Sequence, residues 1–325
     1  MKNRVLPALF SVILGLLIAP TALAWDATGH MQIADIAWAN LSKHAKSEIT
    51  LILKAGDPAF RPASDSEADI RAAFRKSATF CDVIKGDRST QYEAILPEMN
   101  LTFFTKTKPD PANNEDVLCK TWHYYDVPIR DKGNHPAEDS NAVNAFNLAR
   151  EKFYSLEKAG GSDRQTECWW LYWIEHIAGD VHQPLHCVSS YEFVTDKGDA
   201  GGNRIMVIDP ARPDRPTRLH SYWDAGITHA IAADKEAGLA VTPEDVTKRW
   251  GSDPALKPSA ADLKVLDIMA WVKAGAAIAD KTVYADLKPN STLSAQYATD
   301  QITLCKKQAE LAGLRMAAVL NAGLK

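Results

Sequence analysis

Apolar residues recur every three or four positions over six stretches of this chain: Met31 to Leu41, Lys46 to Leu53, Asp139 to Glu157, Glu167 to Val181, Ala260 to Ala279 and Ala295 to Leu320. That spacing gathers the apolar side chains on one face of a helix, so these segments predict a mainly helical protein. Only Asn203 to Ile208 reads as a strand. The turn Pro210-Ala-Arg-Pro-Asp-Arg-Pro216 would fold it back on Thr217 to Leu219 as one small β-hairpin, giving an all-α fold class with a single hairpin. Lys108 to Asp116 and Asp131 to Asp139 read as surface loops, and Lys235 to Ser259, which carries no motif, is expected to be a surface insertion.

A different pattern opens the chain. Lys2 and Arg4 precede an apolar run from Leu6 to Ile18, and Ala22-Leu23-Ala24 is a small-x-small cleavage site. This reads as a secretory signal peptide over residues 1 to 24, because the run is too short for a membrane anchor. The expected product is secreted or periplasmic, without stable membrane association, and begins at Trp25. A free α-amino group there could chelate a metal together with its own carbonyl, and His30 lies five residues on.

The densest chemistry lies in Glu175-His-Ile-Ala-Gly-Asp-Val-His-Gln-Pro-Leu-His186, with three imidazoles and two carboxylates. On a helix, His176 and Asp180 project from one face and can hold one cation. Pro184 is expected to end that helix and let His186 swing toward the same pocket, while His182 should point elsewhere. His220 and Asp224, in Arg-Leu-His-Ser-Tyr-Trp-Asp, repeat the one-face pair. Two such pairs beside tryptophans point to a polynuclear zinc site of the hydrolytic type, rich in His and Asp instead of Cys.

These segments, with Trp25-Asp-Ala-Thr-Gly-His30, Trp122-His-Tyr-Tyr-Asp-Val-Pro128, Gly201-Gly-Asn203 and Ala312-Gly-Leu-Arg-Met-Ala-Ala-Val-Leu-Asn321, resemble one family. It is that of the zinc-dependent single-strand-specific nucleases and 3'-nucleotidases of fungi, plants and bacteria, which share a fold with zinc phospholipase C. Position by position the resemblance implies three zinc ions. One would be held by Asp82, His123, His176 and Asp180, a second by His186, His220 and Asp224, and a third by the amine and carbonyl of Trp25, His30 and the shared Asp180. Asp82 stands in Thr79-Phe-Cys-Asp82 where relatives usually carry Trp-Ala-Asp, and Asp87 is its local competitor. Because ligand segments from Trp25 to Asp224 must converge, residues 25 to 325 are expected to form one domain, as a monomer.

The resemblance also implies the chemistry: hydrolysis of single-stranded DNA and RNA to 5'-phosphorylated products, with 3'-nucleotidase activity. A water shared by the first and third ions, its pKa drawn toward about 7, would attack phosphorus while the second ion stabilises the departing 3'-oxygen. Asp126 matches the carboxylate that orients that water, unless it is only a turn residue before Pro128. Lys85 and Asn203 match the groups that bind the phosphoryl oxygens, and Gly201 and Gly202 would let the backbone approach the substrate. Tyr124 is the candidate to stack an unpaired base, an interaction worth roughly 1–3 kcal/mol, or is an ordinary core aromatic.

Charge bears on the substrate. Loss of Lys2 and Arg4 with the leader takes the formal net charge from −4 to −6, so affinity should be concentrated at the metals, with a shallow salt dependence. Five cysteines, Cys81, Cys119, Cys168, Cys187 and Cys305, suggest up to two disulfides in an exported protein. Two other functions stay open: a zinc phospholipase C, although that branch presents Glu where Asp224 stands, and a zinc-binding exported protein without turnover.

Overall fold

The computed structural model describes residues 25–86, 120–131, 133, 135 and 141–325. The leader, Asp87, the loop expected over Lys108 to Asp116, and Cys119 lie outside the described residues.

Two helices without a polar face organise the fold. In α1 (Ala27–Asn40) nearly every residue from Gly29 to Trp38 is buried, and in α6 (Arg164–Asp180) every residue from Glu167 to Asp180 is. A helix buried all round needs neighbours on every side. Around α1 pack α3 (Glu67–Ser77), α8 (Gly226–Glu236), α9 (Pro243–Ser252) and α12 (Ala295–Gly323). Around α6 pack α2 (Lys43–Ala55), α4 (Phe80–Gly86), α5 (Ala142–Lys158) and again α12. Where α12 crosses α1, a Cβ on Gly313 would lie 2.6 Å from the Ile36 side chain, so glycine sets how closely the two helices approach. All nine tryptophans are buried in this core.

Side-chain caps set the helix starts. Asp26, Ser42, Ser66, Asp163, Thr242 and Ser294 each accept from an amide of the first turn that has no partner inside the helix. The same device divides the helix expected over Ala260 to Ala279. Asp267 accepts from the amides of Met269 and Ala270 and starts α11 (Ile268–Ile278) anew, leaving α10 (Ala260–Lys264) as a separate turn.

The hairpin forms as β3 (Met206–Ile208) against β4 (Pro216–Arg218), antiparallel, with Val207 opposite Thr217. A second pair escapes the periodicity: β1 (Val127–Ile129) runs parallel to β2 (Val188–Ser190), each three residues long. Its effect is to lay the segment after His123 alongside the segment after His186.

Two expectations are corrected. Lys235 to Ser259 is no surface insertion, because it carries α9. Val246, Thr247 and Trp250 are buried there, Thr247 accepts from Gln32 of α1, and Trp250 donates to Asp234. Nor do the expected disulfides form among the described cysteines: no two of Cys81, Cys168, Cys187 and Cys305 are bonded to each other, and all four are buried. Each occupies its own niche. Added Cβ atoms on Gly56, Gly275 and Gly226 would meet the sulfurs of Cys168, Cys187 and Cys305 at 2.3, 2.5 and 2.3 Å, and the Cys81 thiol points at the Tyr172 carbonyl. The sulfurs of Cys168, Cys187 and Cys305 thus fill gaps left by glycines and do not face one another. Burial pushes the Cys168 thiol up to about 12.

Candidate metal centre

α6 ends at Asp180, four residues before Pro184, through a turn closed by the Val181 and His182 amides. Gln183 then accepts from Leu185 N at 2.6 Å and starts the short 3-10 turn that carries His186. The expectation that Pro184 itself stops the helix is thus off by one turn, because the backbone bonds of 177–183 close first.

His176 and Asp180 share one face of α6, with Nε2 3.3 Å from Oδ2. His123 places Nδ1 2.9 Å from that same Nε2 and 3.1 Å from Oδ2 of Asp180. Asp82, on α4, places Oδ1 3.7 Å from His176 Nε2 and 3.9 Å from His123 Nδ1. The other oxygen of Asp180 lies 3.2 Å from Nε2 of His30, whose ring stacks on His176 with centroids 4.0 Å apart. Gly179 makes this possible: a Cβ there would stand 2.9 Å from His30 Nδ1. Trp25 is buried and donates its indole N–H to Gly179 O, while Asp26 N donates to Asp224 O. Residues 25 and 26 are thereby pinned between the ends of α6 and α7 (Leu219–Asp224).

A further group forms around α7. His186 and His220 place Nε2 3.6 Å from the two oxygens of Asp224. Gln183, which the sequence reading passed over, donates to Asp224 Oδ1 at 2.8 Å. Its position beside His182 in the His-Gln-Pro run was the available signal.

The ring tautomers follow from the bonds behind them. His176 donates Nδ1–H to Ala78 O, His186 to His123 O and His220 to Gly201 O, at 2.7 to 2.8 Å. Each donation leaves Nε2 with its lone pair aimed into the pocket, the arrangement that orients a metal-ligating imidazole. Gly201 is needed for this, since it adopts φ +60° and a Cβ would fall 2.2 Å from Leu185 O. Its role here is to bring a carbonyl up to His220, and Gly202 packs on Leu219.

The electrostatics set buried carboxylates against buried imidazoles. Burial would raise Asp180, but His176 and His123 hold it well below the usual carboxylate range. Burial would lower His176, but Asp180 and Asp82 push it up to about 9. Burial pushes Asp224 up to about 8, with His220 and Gln183 opposing. Buried His30 Nε2, Asp82 Oδ1 and Asp180 Oδ1 have no hydrogen-bond partner. Such groups cost about 1–3 kcal/mol each unless something coordinates them. His30, His176 and Asp180, then Asp82, His123 and His176, then His186, His220 and Asp224 each bring three ligand atoms within 4.8 Å of one another. Nitrogen and carboxylate donors in buried sets of this kind fit zinc.

Asp126 is half-buried at the head of β1, and its charge reaches Cys187. Tyr124 is half-buried, with its carbonyl accepting from Ala142 N. Asn203 donates Nδ2 to Ala200 O within its own turn, leaving Oδ1 buried without a hydrogen-bond partner. Lys85 falls on α4, but its side chain lies outside the described part of the structure. His182 does point elsewhere: Nδ1 donates to Ala178 O and Nε2 accepts from Arg315, tying α6 to α12.

A model of the S1/P1 nuclease family matches residues 25–325. Nuclease S1 of Aspergillus oryzae is 27% identical over 275 residues, covering 79% of this chain and 88% of that protein. Endonuclease 4 of Arabidopsis thaliana is 30% identical over 156 residues, 46% of this chain and 49% of its own length. Endonuclease 1 of the same plant is 29% identical over 171 residues, 50% and 52%. The chain therefore spans about half the length of the plant relatives it matches.

Proposed function

The chain belongs to the S1/P1 nuclease family, and from that premise we propose that it is an exported, zinc-dependent phosphodiesterase. It hydrolyses single-stranded DNA and RNA to 5'-phosphorylated products and removes the phosphate from 3'-nucleotides. The observation that carries this reading is the meeting of three His/Asp groups from α1, α4, α6, α7 and two 3-10 turns in one buried centre.

His30, His123, His176, His186, His220, Asp82, Asp180 and Asp224 would hold zinc, with the backbone of Trp25 joining His30 and Asp180 once the leader is removed. Zinc bound there supplies Lewis acidity to the phosphoryl group and the departing 3'-oxygen, and acidifies water enough for attack at neutral pH.

The protein's own part is positioning. Asp126 accepts a proton from the attacking water and aims it at phosphorus in line with the 3'-oxygen that departs. Lys85 and Asn203 bind the phosphoryl oxygens as charge builds on them, and Tyr124 stacks the base beside the scissile bond. A duplex must unpair to offer that base, which gives single strands their advantage. Among the described residues no helix is long and apolar enough to cross a membrane.

The test is turnover by protein beginning at Trp25. Single-stranded substrates should yield 5'-phosphate ends faster than duplexes, and choline phospholipids should stay intact. Phospholipid hydrolysis without nucleic-acid cleavage would overturn the proposal.

A further inference from the structure

Beside the metal-facing side of α7 lies a cleft that the proposed chemistry leaves unused. His220 and Asp224 point to the metal groups, and Ser221 and Ala225, one residue on in each case, are turned by about 100° around the same short helix. They line a cleft of about 330 Å³, enclosed by the β3–β4 turn and by α8. That volume is within the range of small-ligand sites.

The polar part of the lining is mostly cations and hydrogen-bond donors, beside Pro216, Tyr222 and Ala225. Arg212 and Arg215 reach it from the turn, Thr217 from β4, Ser221 from α7 and His229 from α8, with Asp209 as its carboxylate. Asp209 is committed to the turn, accepting from Ala211 N at 2.9 Å. Elsewhere in the protein Arg71, Arg130, Arg164 and Arg249 are bound to carboxylates. Arg212 and Arg215 are exposed and have no such ion pair among the described residues. On a chain of net negative charge, two arginines in one cleft that form no ion pair among the described residues, even with Asp209 in the same lining, are available to an anion.

The turn is also stiff. Pro210, Pro213 and Pro216 fix φ at every third residue, Arg212 N donates to Asp209 O, and Arg215 N donates to Arg212 O. The backbone that carries both arginines is therefore set before any ligand arrives, which lowers the entropy lost on binding.

We infer that this cleft binds a phosphate of the substrate strand other than the one being cleaved, paired by Arg212 and Arg215 and hydrogen-bonded by the Ser221 and Thr217 hydroxyls. Guanidinium groups suit phosphate oxygens because their paired N–H donors match the anion's geometry. Ser221 directly follows His220 and Ala225 directly follows Asp224, so the site adjoins the metal groups along the chain. The inference rests on the nuclease reading. It adds that the enzyme holds oligonucleotides by a contact that a 3'-mononucleotide cannot make.

The experiment compares wild type with the exposed double variant R212A/R215A. The variant should raise KM for a single-stranded pentanucleotide about tenfold with kcat unchanged, and leave KM for a 3'-mononucleotide unaltered. The salt dependence of oligonucleotide binding should also flatten by a slope of about 0.7, the share of one phosphate contact on a single strand. Equal effects on both substrates, or none on either, would overturn the inference. Fluorescence anisotropy of a labelled phosphorothioate pentanucleotide reads the same contact without turnover. It should bind about tenfold more weakly to the variant, and equal affinity contradicts the inference whether or not wild type proves to be a nuclease.

Discussion

Nε2 of His30, on α1, stands 3.2 Å from Oδ1 of Asp180, the last residue of α6, while His123 and His176 approach the other oxygen of the same carboxylate. One side chain thus faces two nitrogen sets. On the three-ion reading it bridges two cations, and removing His30 should empty one place only. His30→Ala is expected to retain one zinc fewer than wild type by elemental analysis of the folded protein. An unchanged zinc content would remove His30 from the ligand set.

Gln183 reaches Asp224 through its amide N–H and caps Leu185 N through its oxygen. Gln183→Glu keeps the cap but replaces the donor with a second carboxylate oxygen beside Asp224. Outer-shell changes of this kind weaken metal affinity by about 10–100-fold. Chelator competition should show that loss for a single zinc of the set, with melting temperature in excess zinc near that of wild type. If all the zinc ions weaken together, Gln183 acts on the fold and not on this group.

With metal removed, His176 stands at about 9, where Asp180 and Asp82 overcome burial, and burial holds Asp224 at about 8. Both folded-state values exceed the unfolded ones, so both groups favour the fold while protonated. Their contribution is complete below the unfolded values and is lost as pH rises through about 8 to 9. The chelated protein should therefore lose stability as pH rises, from about 4 to 8 through Asp224 and from about 6.5 to 9 through His176, by up to about 1.4 kcal/mol per pH unit for each group. Zinc takes the place of those protons, so the loaded protein should show a flatter profile. Calorimetry with and without chelator checks this, and a chelated melting temperature that rises over the window contradicts it.

The buried thiols of Cys168, Cys187 and Cys305 should be slow to react in the native protein. Unfolded without reductant and alkylated, the protein should take up at least three labels by mass spectrometry, on these cysteines. Two or fewer would mean that disulfides form in place of the glycine niches.

Much of this was legible in the residues because helical spacing is a local property. The pairs His176/Asp180 and His220/Asp224 each needed only one turn of helix to meet, and the helices around α1, α2, α5, α6 and α12 announce themselves by period. What stayed hidden depends on contacts distant in sequence. The β1–β2 pair is three residues a side and is held by the register of two metal-bearing segments, so no alternation marks it. α9 looked dispensable because its partners, Gln32 and Asp234, are remote or on another helix. The cysteines misled for the same reason: their presence fits an exported protein, but the sulfurs of Cys168, Cys187 and Cys305 are each matched to a glycine far along the chain.

The central claim is tested most directly by Asp180→Asn in protein beginning at Trp25, with zinc content and products measured together on single-stranded DNA and RNA. Asn keeps the shape of the side chain and removes the charge that faces His30 on one side and His123 and His176 on the other. Wild type should release 5'-mononucleotides, and the variant should lose zinc and that release together. Undiminished cleavage by a zinc-depleted variant, or full zinc in wild type with no cleavage of either substrate, would contradict the account.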